Sequence, residues 1–233
     1  MLLPLLAVQA AIAGQVDASA VTDFPILTGA SVAWQHPSRL RLEGTAGVLP
    51  SPYVDVINTA MTTFDVYSDT TAELIDVVLQ NAIVLHGQVG YQVLPQRPLS
   101  VSVGYQRIGF AGDTTDISLF SDAVIPDEIL DAARNDFGEL EVDLTAHMVS
   151  GEVGYDWLIK DRITLRASLA FAYTVKSNTA VSATREPSNP VEEETITLVN
   201  VAAADYLDFV FEEWVHLPMI GLSAGYRFPG GQR

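Results

Sequence analysis

The chain has 233 residues, 48% of them hydrophobic and only 18% charged, with a formal charge of −17 and no cysteine. That length suits one large domain or one barrel, and the apolar content is high for a protein that lives in water. The acidic balance excludes a nucleic-acid partner, whose phosphates demand clustered Lys and Arg, and the missing thiols exclude disulfides and thiolate metal sites.

Residues 1–13 carry an apolar run, Leu2 to Ala13, too short to cross a bilayer as a helix of about 20 residues. It ends in Ala11-Ile12-Ala13, which suits a signal-peptidase site, and it lacks a preceding basic segment, so it reads as a weak or truncated signal peptide. The competing reading is a buried first strand with Leu2, Leu6, Val8 and Ile12 on one face. Residues 14–25 then form a linker or a first strand, and 26–228 the folded domain, with a tail at 229–233.

From residue 26 the apolar positions alternate, a period of two that no helix has. Residues 26–36 set Ile26, Ala30, Val32 and Trp34 against Gly29, Ser31, Ala33 and Gln35; residues 39–48 set Leu40, Leu42, Ala46 and Val48 against Arg39, Arg41, Glu43 and Thr45. The same pattern recurs at 83–93, 99–106, 149–157, 163–175 and 220–228, which makes seven strands. An even number is required of a single-chain bacterial barrel, so an eighth is sought in 4–22 or in 194–201. At Met148 and Val149 the apolar face moves from even positions (Leu140, Val142, Leu144) to odd ones, which predicts a β-bulge there.

Between these strands lie short turns at 36–38, 94–98 and 160–161, alternating with long connections at 49–82, 111–139 and 177–215. The long connections hold most of the acid, and within them 71–81, 126–134 and 201–214 read as short amphipathic helices. Acidic loops of this kind are also the place to expect weakly held divalent cations; no cofactor or metal motif is present, since none of the four histidines has another at ligand spacing.

The polar face of the strands decides which way the apolar face points. It is built of Gly, Ser, Ala and Gln rather than the Lys, Glu and Thr of a water-facing sheet, and such small groups fit a narrow lumen. The expected fold is all-β: an antiparallel up-and-down barrel, apolar outside and polar inside, spanning a membrane with eight strands and long acidic, partly helical outer loops. Trp34, Tyr91, Trp157, Tyr226 and Phe228 lie near strand ends beside short turns or the chain end and form one aromatic girdle against membrane lipid. Arg41, Glu43, Glu152, Asp156, Arg166 and Arg227 fall on the inner face, where they are expected to pair as a lumen charge network beside His86, Gln88 and Gln106.

Gly225-Tyr226-Arg227-Phe228 at the end of the last strand resembles the C-terminal signal of bacterial outer-membrane β-barrel proteins, an aromatic-x-Phe read by their assembly machinery. The strand plan resembles small barrels of that class over nearly the whole chain. The resemblance implies residence in the bacterial outer membrane and contact with the barrel assembly machinery. No catalytic residue is assigned. Gly221-Leu222-Ser223-Ala224-Gly225 fits the G-x-S-x-G elbow of serine hydrolases, but it lies in an alternating strand with no histidine after it. His147, Ser150 and Glu152 invite comparison with lipid-modifying barrels, yet an odd spacing puts His147 and Ser150 on opposite faces of a strand. The reading is therefore a non-enzymatic barrel whose acidic outer loops carry an envelope-structural, adhesion or ligand-contact role. A narrow solute channel and a soluble lipocalin-like ligand-binding barrel are the alternatives.

Overall fold

The computed structural model describes residues 14–79, 82–94, 98–120 and 139–228, the side chains of 111–114 apart. In chain order the strands are β1 (Gln15–Phe24), β2 (Leu27–Gln35), β3 (Leu40–Val48), β4 (Ile83–Gln92), β5 (Leu99–Asp116), β6 (Glu139–Ile159), β7 (Ile163–Ala183) and β8 (His216–Phe228). Helices α1 (Ser51–Thr63) and α2 (Asp69–Leu79) fall between β3 and β4, and α3 (Pro190–Trp214) between β7 and β8. Every strand pairs antiparallel with the next, and β8 returns to β1 to close the barrel.

The strand that the even count required is β1, and residues 194–201 belong to α3 instead. β1 was hard to see because its outward residues are small, Ala18 and Ala20, between Val16 and Thr22, while Asp17 and Asp23 interrupt any apolar run. Its ladder to β8 runs from Val16↔Phe228 to Phe24↔Ile220. The signal-peptide segment 1–13 and the tail 229–233 lie outside the described residues.

One end of the barrel is made of short turns, where Arg39, Lys160 and Asp161 adopt positive φ (73°, 51° and 58°). Only a tight reversal needs that conformation from a non-glycine residue. The other end is taller. β5, β6 and β7 run for 18, 21 and 21 residues against 9 or 10 for β1 to β4, so three strands rise past the rest. Residues 111–116 and 177–183, assigned from the sequence to long connections, are therefore sheet.

The three helices fill the tall end. α2 buries Thr71, Leu74, Ile75, Val78 and Leu79, the i, i+3, i+4, i+7, i+8 stripe of an amphipathic helix. α3 starts eleven residues earlier than the sequence suggested, where Asn189 accepts from the Val191 and Glu192 amides, and it buries Ile196, Val199, Ala203, Leu207, Val210 and Phe211 along one side. α1, not anticipated from the sequence, opens behind Pro50 with a second proline in its first turn and buries Val54 and Ile57. The expected helix at 126–134 lies outside the described residues, as do the last two residues expected of α2. No described helix is long and apolar enough to cross a membrane.

β6 keeps one phase throughout, so the bulge expected at Met148 and Val149 is not in that strand. Its even residues face inward from Leu140 to Asp156; what changes at Met148 is chemistry, not orientation. Below it the inward row is Ser150, Glu152 and Gly154 and the outward row Val149, Val153, Tyr155 and Trp157; above it the inward row is Leu140, Val142, Leu144 and Ala146 and the outward row Glu139, Glu141, Asp143 and Thr145. The irregularity sits on the neighbouring strand: Met148 pairs Thr174 while His147 pairs Lys176, so Val175 is the extra residue of a bulge in β7.

Candidate functional site

The lumen has two storeys. Toward the tall end it is an apolar core continuous with the helices: Val84, Ile108, Leu144, Met148, Leu217 and Met219 meet Leu74, Phe120, Leu207 and Phe211, all buried. Toward the short-turn end it is polar, because each strand there contributes its small or charged row.

In that lower storey the structure brings all six sequence-assigned charges together. The Arg41 guanidinium lies 2.9 Å from Glu43 and 3.7 Å from Asp156. Arg166 donates to Asp156 at 2.9 and 3.0 Å and also to Glu152. Gln88 donates to Glu43 at 3.1 Å and Ser102 to Glu152 at 3.3 Å. Arg227 forks onto Asp17 at 2.7 and 3.0 Å, and Asp17 also faces Arg41 at 3.7 Å. Asp17, only 1% exposed, is the member that sequence reasoning missed, since it lies in a segment left open between linker and first strand. Four carboxylates and three guanidiniums thus form one belt around the inner wall. Buried charge is tolerable only when paired and hydrogen-bonded in this way.

Glycine makes room for it. A Cβ on Gly154 would stand 2.3 Å from Arg166 Nη2, and one on Gly104 would stand 2.3 Å from His86 Nε2. Among the described residues, a cavity of about 10 Å³, of the order of a single water, lies beside the belt and is lined by Asp23, Glu43, Thr45, Glu152 and Arg166. Below it a vestibule of about 180 Å³ opens to the short-turn end and stops at Arg41, Asp156 and Arg227.

The hydrolase candidates do not assemble. His147 faces outward and contacts Tyr105 through Nδ1, while Ser150 faces inward, 3.4 Å from His86 Nε2, and Glu152 is held by Arg166. Ser223 sits mid-strand in β8, paired with Val21 and Arg166 in the ladders on either side. Among the described residues no group of three His, Asp or Glu side chains is placed to hold a metal ion. Loop cations were expected at the acids of the long connections in general; of these acids, the ones in 121–138 lie outside the described residues.

On the outer wall Tyr91, Trp157, Tyr226 and Phe228 are exposed and Trp34 half-buried, all at the short-turn end. Tyr226 and Phe228 meet edge-on at 5.2 Å, and Arg162 donates to the Tyr226 hydroxyl at 3.1 Å. A second ring of aromatic groups, not anticipated from the sequence, lies higher: Tyr105 against His147, and Tyr173 stacked on His216 at 4.1 Å. Its members come from four strands at different sequence depths, so no local pattern marks them. Between the rings the wall is Val32, Leu85, Val103, Val153, Leu169 and Leu222, every one exposed.

No family model matches the chain, and no curated protein sequence matches it. Among solved structures it is similar to the N-terminal β-barrel domain of Pseudomonas aeruginosa OprF. That likeness has a TM-score of 0.40 at 13% identity and covers 92% of this chain and 96% of the other. It is also similar to Acinetobacter baumannii CarO (TM-score 0.38, 11% identity, 91% and 97% covered) and CarO2 (0.34, 10%, 92% and 98%). The closed eight-stranded fold is established by the chain's own ladder.

Above the lumen, polar ties anchor the helical cap to the barrel. Tyr53 meets Thr22 at 2.6 Å, Thr179 donates to Asp208 at 2.7 Å, and the Ser177 amide donates to Glu212 at 2.9 Å. Tyr67 donates to Asn58 at 2.7 Å, and burial raises its phenol above the ordinary tyrosine range. At the exposed start of α3, the Ser188 amide lowers the Glu192 carboxyl, which also accepts from Asn189 at 2.8 Å.

Proposed function

We propose that this chain is a non-enzymatic bacterial outer-membrane barrel with a sealed lumen, and that its role is carried by the ordered acidic cap it holds outside the cell. The observation that carries this reading is the inversion of β6 at Met148. Below that point the strand is apolar outward and polar inward, as lipid on the outside requires; above it the strand is apolar inward and acidic outward, as water on the outside requires. A single strand that obeys both rules crosses a lipid–water boundary. The distance along β6 from Trp157 to His147 is ten residues, about 33 Å of strand, or roughly 25 Å of height at the usual tilt.

The lipocalin-like alternative needs an apolar cavity and a polar wall, and the lower storey has the reverse of each. The channel alternative needs a continuous water path, whereas among the described residues a charge belt and an apolar core lie across the lumen, with a water-sized cavity beside the belt. The outward placement of Tyr226 and Phe228 suits a C-terminal strand read by the assembly machinery. The cap's acids suit a surface or adhesion partner that is basic.

Membrane fractionation tests this reading. The protein is expected in outer-membrane fractions, extractable only with detergent, and to migrate faster unheated than boiled on SDS gels. Pure protein in planar bilayers is expected to give no stepwise openings. A salt-soluble monomer would overturn the membrane assignment, and regular conductance steps would overturn the sealed lumen.

A further inference from the structure

We propose that the outer wall carries a site for the phosphorylated headgroup of an outer-leaflet lipid, formed by Arg107, His147 and Lys176. The proposal rests on the outer-membrane reading above and adds to it a defined ligand and place.

Arg107 pairs His147 in the β5–β6 ladder, and His147 pairs Lys176 in the β6–β7 ladder. The three therefore stand side by side on three adjacent strands, about 10 Å from first to last at the usual strand spacing. Their chain neighbours Gln106, Ile108, Ala146, Met148 and Ser177 are buried inside, so the row itself faces out. It lies at the level where β6 changes polarity. Below it the wall is apolar, with Val149, Val103 and Phe171; above it the wall is wet. A cationic row at that height meets the phosphates of a lipid whose chains lie against the wall beneath.

The row is uncompensated among the described residues. Among the described residues no carboxylate pairs with Arg107 or Lys176. The first acid above it on the same face of β6 is Asp143, four residues or about 13 Å away. On β7 the outward residues above Lys176 are Asn178, Ala180 and Ser182. In a chain of charge −17 this local positive row stands out, and an arginine fork with a lysine point charge is the pair that holds phosphate well. Beside Arg107 the wall also has a shallow groove of about 510 Å³, with Val32, Ala46, Leu85 and Tyr105 around a floor of Gly44 and Gly87. A Cβ on either glycine would meet nothing within 4 Å, so the groove is open to an acyl chain.

The test uses the full barrel in neutral detergent, with purified lipopolysaccharide as the probe, counted by native mass spectrometry. Wild type is expected to retain the lipid, and R107A/K176A to bind it roughly 30-fold more weakly. Enzymatically dephosphorylated lipopolysaccharide is expected to bind wild type as poorly as intact lipid binds the double variant, and Gly87→Leu to weaken binding by filling the groove. Equal binding by wild type and double variant overturns the proposal. Complete displacement by millimolar inorganic phosphate also overturns it, because the row is then a small-anion site and not a lipid site. If R107A/K176A lacks the heat-shifted folded band, R107Q/K176Q makes the same comparison. Failure of the location reading looks different: wild type itself would be missing from the membrane fraction.

Discussion

Arg41 is the pivot of the lumen belt, with Glu43, Asp17 and Asp156 all within 3.7 Å of its guanidinium. Removing it leaves buried carboxylates facing one another, and breaking one side of a buried network costs about 3–5 kcal/mol. Arg41→Ala is therefore expected to lower the urea midpoint of the barrel in detergent sharply. The Gly221–Gly225 segment supplies a contrast between neighbours. Ser223 is on the lumen side of β8, in a loosely filled region where a small change stays within about 0.5 kcal/mol, so Ser223→Ala is expected to be nearly silent. Leu222 is 56% exposed on the apolar wall, and Leu222→Arg is expected to cost about 2–4 kcal/mol in the folded fraction recovered from membranes. An esterase activity lost in Ser223→Ala with folding intact would return the segment to the hydrolase reading.

At the scale of the element, β6 makes the sharpest claim, because one strand has two outsides. A lysine at Thr145, on the wet upper wall, is expected to leave folding unchanged, whereas a lysine at Val153, eight residues along the same face, is expected to cost about 2–4 kcal/mol. The comparison is the heat-shifted fraction of each variant. α3 depends on its first turn: Asn189→Ala is expected to cost about 1 kcal/mol of helix stability. Glu192 has a lowered folded pKa, so its contribution is present above the ordinary glutamate range and is lost as pH falls through the folded value. Helical circular dichroism is expected to drop in acid for wild type, with that component absent in Glu192→Gln. The same elements explain what was legible beforehand. Where the wall is uniformly apolar outward, as in β4 and the lower part of β7, period-two alternation named the strand and its faces. It failed where the rule changes sign: 140–148 looked out of phase because apolar residues turn inward above the boundary, so a bulge was expected on the wrong strand. Residues 14–25 stayed open between linker and first strand because alanine lines the outer face of β1, and so Asp17 was not placed in the lumen. α1 failed because its few buried positions, Val54 and Ile57, sit between two prolines and a polar run.

For the whole molecule the decisive quantity is which end faces the cell exterior. The chain has no cysteine, so single substitutions report cleanly. Glu186→Cys, at the helical end, is expected to react with a membrane-impermeant maleimide in intact cells, and Asp161→Cys, in a short turn, only after lysis. The reverse labelling would invert the barrel. The closing ladder between β1 and β8 also has a consequence for how the molecule is made. Val16 and Phe228 are partners, as are Asp17 and Arg227, so the seam joins residues more than 200 positions apart in the chain. Seven of the eight strand pairs are between neighbours in sequence, and the eighth joins the two ends of the chain. Without that seam the sheet has two bare edges, each a template for any other strand nearby. A chain truncated before Arg227 leaves Asp17 without its fork and the sheet without its full seam, and is expected to be a product for proteolysis rather than a shorter barrel.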